Sequence, residues 1–359
     1  MPEPFKMSYA TGALSGKVSW RSPSNIALIK YWGKREGQLP SNPSLSLTLS
    51  QAFTETSIEY EFIEALTSPE IQFVFSNATE SSFEERISRY IKNLIFDIPF
   101  ISNVRMHIQS HNTFPHSAGI ASSASAFSAL ALCLCSIEKL LDGSVSGTMD
   151  FYRKASYMAR LGSGSACRSV YGGYVVWGET KDCADNSNLY GMPFPYEVHP
   201  LLTEMHDSIL VVSSARKTVS SSAGHQLMNY HPYASVRYQQ ARDNMSSLIR
   251  VMQTGDMDGF VKIVENEAMS LHALMMSSSD SFILLQPATL SVIEKVKDYR
   301  RRSGIPVCFT LDAGPNVHMI YPDIYKDQVH EFIQSELVQF CEGGRVIHDF
   351  LGDGPKQLI

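Results

Sequence analysis

Four short segments carry residues whose types and spacing suit chemistry on an anionic substrate. LDAGPN, at 311–316, ends an apolar run on Asp312 and then turns tightly. A carboxylate fixed at a strand mouth can serve as a catalytic acid or base, although aspartate also favours turns for purely conformational reasons. RLGSGSACRSVYGG, at 160–173, places Ser163, Ser165 and Arg168 in a Gly-rich bend. A guanidinium held there suits two-pronged capture of a carboxylate or phosphate, and a structural ion pair is the equal alternative. FPHSAGIASSASAFSA, at 114–129, sets Gly119, Ser122 and Ser123 just before an apolar helix. Outward N–H groups and the positive helix end make such a segment a phosphate cradle, or simply an N-capped helix; it is not a Walker A loop, because no GK[ST] closes it. SPSNIALIKYWGKR, at 22–35, gathers Asn25, Lys30, Tyr31, Lys34 and Arg35 on a strand, with alternation setting Leu28 and Lys30 on one face and Ile29 and Tyr31 on the other. A lysine at a strand end is ordinarily a solvated charge.

Elements that could position these groups are legible in the pattern of apolar residues. Strands are expected at 18–29 and 46–60, separated by a Gly/Pro/Asn-rich loop, and again at 172–177, 208–213, 307–311 and 317–321. Helices are expected at 122–141, where Ala and Leu run without Gly or Pro, at 148–161, and at 234–254, 257–276 and 288–303. Residues 1–16 have no sustained period and read as a loose arm. The alternation implies an α+β fold, and 359 residues exceed what one core usually serves. Two domains are therefore expected, 1–195 and 196–359, meeting in the polar stretch 179–200.

Composition narrows the function classes. A net charge of −6 argues against broad nucleic-acid binding, which needs a basic field. No uncharged apolar run reaches the roughly 18–20 residues of a membrane span, and no signal peptide opens the chain, so a cytoplasmic protein without a membrane partner is expected. Six cysteines lack CxxC spacing and eleven histidines lack HxH or HExxH spacing, so no metal site built on them is expected. HALMMSS, at 272–278, reads as core packing.

Taken in order, NIALIKYWGKR with SNPSLSLTL, FPHSAGIASSASAF, GSGSACRSVYGG, RKTVSSSAG, LDAGPN and GRVIHDFLGDGP resemble the mevalonate diphosphate decarboxylases of the GHMP kinase superfamily, over nearly the whole chain. The resemblance implies a two-domain GHMP kinase fold, with an N-terminal ribosomal protein S5 domain 2-like domain and a C-terminal α/β-sandwich domain. It further implies that ATP, with Mg2+, phosphorylates the 3-hydroxyl of mevalonate 5-diphosphate, after which phosphate and CO2 leave to give isopentenyl diphosphate. In that scheme Asp312 orients or deprotonates the hydroxyl, Lys30 offsets charge beside it, and Arg168 with Asn25 holds the carboxylate. Tyr31, Lys34, Ser163, Ser165 and Ser221 match positions around the 5-diphosphate; Gly119, Ser122, Ser123 and Lys217 match positions at the ATP phosphates. A homodimer is compatible with the resemblance.

The chain also departs from the family pattern. His116 replaces a threonine, Ser222 stands where some bacterial members carry arginine, His225 replaces a frequent methionine, and SSSDSFILL follows the LHA segment. These changes leave a decarboxylase of mevalonate 5-phosphate as an alternative. A 3-kinase without decarboxylation and a non-catalytic nucleotide binder are more distant ones, the first disfavoured by Arg168 and Lys30 and the second by Asp312.

Overall fold

The computed structural model describes residues 15–75, 81–114, 120–142, 148–215 and 221–359; the arm expected at 1–16 lies almost wholly outside them. Two mixed layers of sheet and helix are present, an α+β architecture. The first sheet is built on the long antiparallel pair β1 (Ser15–Ile29) and β2 (Ser44–Phe62), where β-branched and aromatic residues favour extended backbone. It continues through β4 (Val104–Asn112) to β3 (Glu70–Phe75), with β5 (Tyr174–Trp177) and β6 (Gly191–Pro193) attached to the other half of β2. Helices α1 (Ser81–Asn93), α2 (Ser122–Asp142) and α3 (Thr148–Gly162) belong to this half. α2 is long and apolar enough, by length and composition, to cross a membrane, yet 89% of that stretch is buried inside the protein. It is the core helix, tied to β1 by the Trp20 indole N–H donating to Ser136 Oγ at 2.8 Å.

The second sheet orders β10 (Val346–Phe350), β7 (Met205–Leu210), β9 (Val317–Pro322) and β8 (Cys308–Thr310), all antiparallel. Around it lie α4 (Ser221–Leu227), α5 (Ala234–Thr254), α6 (Met257–Met276), α7 (Pro287–Ser303) and α8 (Lys326–Phe332). Local chemistry sets the helix ends. Gly255, at φ 73°, closes α5 in the left-handed conformation that glycine tolerates, and the Asp256 side chain accepts the Gly259 N–H to cap α6.

The strand expected at 208–213 forms three residues earlier, as β7, because its register is set by pairing with β9 and β10 rather than by its own apolar run. The segments forming β3, α1 and β4 carried no expectation. The last strand, β11 (Lys356–Gln357), returns to pair with β1.

One core joins the two halves: Ile26, Leu28, Leu45 and Leu47 of the first sheet pack in the same buried cluster as Met245 and Leu248 of α5 and Phe260 and Val264 of α6. The halves are also stapled by Asp349 of β10. Its carboxylate, 1% exposed, accepts the backbone N–H groups of Ser50, Gln51 and Ala52 at 2.8, 2.8 and 2.7 Å. Three charge-assisted bonds to a buried carboxylate would be lost in Asp349→Ala, so its unfolding free energy should fall by about 3 kcal/mol or more. Urea denaturation measures this, and a loss under about 1 kcal/mol would contradict the staple.

Candidate active site

The end of β1 and the turn after β8 meet in a cavity between the two sheets. Lys30, whose place at a strand end would ordinarily leave it solvated, is 2% exposed, and its Nζ donates to Asp312 Oδ1 at 3.0 Å. The family resemblance sets Lys30 beside Asp312, as found here; its place at a strand end does not, because the partner lies 282 residues away. Burial holds the Lys30 ammonium below its ordinary pKa, and the Asp312 charge works against that shift. Asp312 is 28% exposed, so one end of the pair opens to the cavity. A register shift between Ala27 and Ile29 also interrupts the expected two-face alternation, within a stretch buried on both faces from Ser22 to Lys30.

Helix α6 fixes the main chain of both partners. Glu267 Oε2 accepts the Lys30 backbone N–H at 2.8 Å, while Arg237 of α5 and Asn42 donate to the Lys30 carbonyl at 3.3 and 3.0 Å. Glu267 and Arg237 form a two-pronged ion pair, 0% and 2% exposed. Asn244 donates to Glu267 as well, at 2.6 Å. One helical turn on, His272 Nε2 lies 3.1 Å from the Asp312 carbonyl, which as an acceptor requires the Nε2–H tautomer. None of these residues was singled out from the sequence. A glutamate on an amphipathic helix looks solvated until its partner is in view, and His272 sat within a stretch read as plain packing.

Arg168 lies across the cavity, also 2% exposed. Its Nη1 donates to Ser44 Oγ at 2.6 Å and its Nε to Ser46 Oγ at 3.1 Å, with Asn25 Oδ1 at 3.4 Å and the Trp177 ring beneath. Among the described residues no carboxylate lies within ion-pair distance of it. Hydroxyls and an amide orient this buried cation, and no structural ion pair is formed among the described residues. Asn25 is itself held by its Nδ2 donating to Ser169 Oγ at 2.8 Å.

The same cavity is lined by Tyr31, Lys34, Ser123, Ser163 and Ser165. Ser123 and Ser163 hydroxyls are 3.2 Å apart, and Lys34 donates to Gln38 Oε1 at 3.1 Å. Ser122 heads α2 but does not line the cavity. Gly119 and Lys217 lie outside the described residues, as does the side chain of Ser221. The wall adds two groups the sequence did not flag. Arg86, on α1, donates to the Gly162 carbonyl at 2.9 Å, and Trp32 follows Tyr31. The wall also holds His225, noted from sequence only as a departure. Among the described residues no group of three His, Cys, Asp or Glu could hold a metal ion.

Burial, with Lys34 and Arg168 nearby, pushes the His225 imidazole down to about 3. The unfolded chain therefore binds one more proton than the folded chain between about pH 3 and pH 6.5, and stability contributed by the neutral ring is lost as pH falls through that window. His225→Met should flatten the pH dependence of unfolding there by up to one proton, about 1.4 kcal/mol per pH unit. Urea titrations at pH 4.5 to 6.5 test it, and an unchanged slope would contradict a buried neutral ring.

Comparison with known proteins places the chain by its sequence and its fold. Residues 22–189 match the diphosphomevalonate decarboxylase-like N-terminal domain, and residues 208–355 match the mevalonate 5-diphosphate decarboxylase C-terminal domain. A diphosphomevalonate decarboxylase from Ganoderma lucidum is 32% identical over 338 residues, covering 87% of this chain and 79% of its own. One from Aspergillus fumigatus is 32% identical over 346 residues, covering 91% and 82%. Among solved structures, mevalonate diphosphate decarboxylase from Staphylococcus aureus superposes with a TM-score of 0.79 at 26% identity, covering 96% of this chain and 98% of its own. A structure described as MDDEF in complex with MVAPP, AMPPCP and magnesium has a TM-score of 0.79 at 25% identity, covering 95% and 98%. The chain belongs to the diphosphomevalonate decarboxylase family, on a two-domain GHMP kinase fold.

Proposed function

We propose that the cavity carries out ATP-dependent decarboxylation of mevalonate 5-diphosphate to isopentenyl diphosphate, a step of the mevalonate pathway, with ATP and Mg2+ entering together as MgATP. The observation that carries the residue roles is the pairing of two buried cations with one carboxylate: Lys30 is matched by Asp312 at 3.0 Å, and Arg168 by no carboxylate among the described residues. An acidic substrate supplies the missing anion.

A tertiary alcohol leaves poorly, so its oxygen must first be phosphorylated. Asp312 accepts a hydrogen bond or the proton from the 3-hydroxyl as that oxygen attacks the γ-phosphorus and ADP departs. The C3–O bond of the phosphorylated intermediate then breaks and inorganic phosphate leaves. The C1–C2 bonding pair becomes the C2–C3 double bond, and C1 departs as CO2. Arg168, steadied by Asn25, holds the carboxylate while C3 becomes electron-poor, and Lys30 keeps Asp312 in place. Serines at the start of α2 and on the Gly162–Ser165 bend supply donors for phosphates, with Lys34 as a cation. We likewise propose that the chain divides at 195/196 and that the protein works in the cytoplasm.

Purified protein incubated with MgATP and mevalonate 5-diphosphate or mevalonate 5-phosphate, with ADP and CO2 followed together, tests the reading. The diphosphate should have the larger kcat/KM and give CO2 and ADP in equal amounts. A ratio favouring the monophosphate would overturn the substrate, and ADP without CO2 the reaction. Asp312→Asn should lower both products by orders of magnitude, since phosphoryl transfer comes first. Arg168→Gln should lower kcat beyond any rise in KM, because the contact matters most as charge shifts; a change confined to KM would make Arg168 a plain binding residue.

A further inference from the structure

His225 sits in the cavity wall in a way the reaction scheme above does not use. Its ring is 4.3 Å from the Tyr31 ring and 4.7 Å from the Trp32 ring, centroid to centroid, tilted 40° and 37°. The approach is possible because residue 224 is glycine: a Cβ there would lie 2.4 Å from the Trp32 indole. Nδ1 accepts the Gly33 backbone N–H at 3.0 Å. An imidazole nitrogen that accepts carries no proton, so in the neutral ring the proton is on Nε2. Burial and the nearby Lys34 and Arg168 keep the ring neutral. Nε2 has no hydrogen-bond partner among the described residues, although the ring is 8% exposed and lines the cavity.

We infer that His225 is a substrate-binding residue, its Nε2–H donating to a phosphoryl oxygen of the substrate's 5-diphosphate. The chemistry of the surrounding wall selects that group. Lys34, Arg86, Ser123 and Ser163 line the cavity and donate, while Asp312, the one carboxylate among the described lining residues, is engaged with Lys30. A neutral donor adds a hydrogen bond to an oxyanion without adding a third cation beside Lys34 and Arg86. The aromatic sandwich and the Gly33 contact fix the ring, so little freedom is lost when substrate arrives. The inference rests on the substrate assignment of the preceding section.

Steady-state kinetics with saturating MgATP and varied mevalonate 5-diphosphate test it on wild type, His225→Met and His225→Gln. Methionine fills a similar volume without a donor, whereas the glutamine amide keeps one. The expected result is a KM raised at least about tenfold in His225→Met with kcat within about threefold, and a KM within about threefold of wild type in His225→Gln. Equal KM values for wild type and His225→Met would overturn the inference. Wild type that turns over the monophosphate but not the diphosphate would overturn the substrate assignment and this inference with it. A second readout needs no variant to stay folded. In 15N-histidine-labelled wild type at pH 7, the His225 resonance should show a protonated Nε2 and an unprotonated Nδ1, with the Nε2 signal shifting on saturation with mevalonate 5-diphosphate. An Nδ1–H tautomer, or an Nε2 signal unmoved by saturating diphosphate, would likewise overturn it.

Discussion

A lysine ammonium sealed from water must be neutralised, and much of this molecule is arranged around that requirement at Lys30. The Asp312 carboxylate answers it from the other sheet, at 3.0 Å. Two charges brought together from 282 residues apart could attract in many geometries, so attraction alone does not specify one. What specifies it is α6, which grips the main chain on both sides: Glu267 takes the N–H of Lys30 and His272 meets the carbonyl of Asp312. Arg237 neutralises Glu267 in turn, so the chain of charges ends in a closed pair rather than an orphan. The shared core of β1, β2, α5 and α6 keeps these elements from sliding past one another.

The other cation follows a different rule. Arg168 is as buried as Lys30 but is surrounded by Ser44, Ser46 and Asn25, which orient a guanidinium without cancelling its charge. One cavity thus holds a cation paired with a carboxylate and another that no carboxylate pairs among the described residues; in the proposed reaction the first serves the hydroxyl to be phosphorylated and the second the substrate carboxylate. That asymmetry suits a reaction in two stages, since negative charge must be managed at the hydroxyl first and at the carboxylate afterwards. In the proposed reaction the 5-diphosphate takes no part in bond making, so its binding energy orients the substrate without entering the chemistry.

How much of this was readable from residues alone depended on whether the deciding contact was local. α5 and α6 appear within the expected bounds because their apolar spacing, the Gly255 stop and the Asp256 cap are all local signals. Asp312, Lys30, Arg168 and Asn25 stand out by residue type within their segments and take their expected roles from the family resemblance, and the structure brings them to one cavity. The burial of Lys30 was not legible, because a lysine reads as solvated until its distant partner is known. The same blindness hid Glu267 and Arg237, 30 residues apart on facing helices, and Arg86, on a helix whose segment carried no expectation. His225 was visible only as a substitution, because its meaning depends on two rings and one backbone N–H that converge in space.

If Glu267 acts on the reaction through the position of Lys30, its loss and the loss of the ammonium should not add. A double-mutant cycle of Glu267→Gln and Lys30→Met, read in kcat/KM for mevalonate 5-diphosphate with denaturation midpoints recorded in parallel, measures this directly. The account predicts that Glu267→Gln costs about thirtyfold or more in the wild-type background and less than about threefold once Lys30 is methionine. Losses that multiply across the cycle would show that α6 supports the fold without positioning the charge pair.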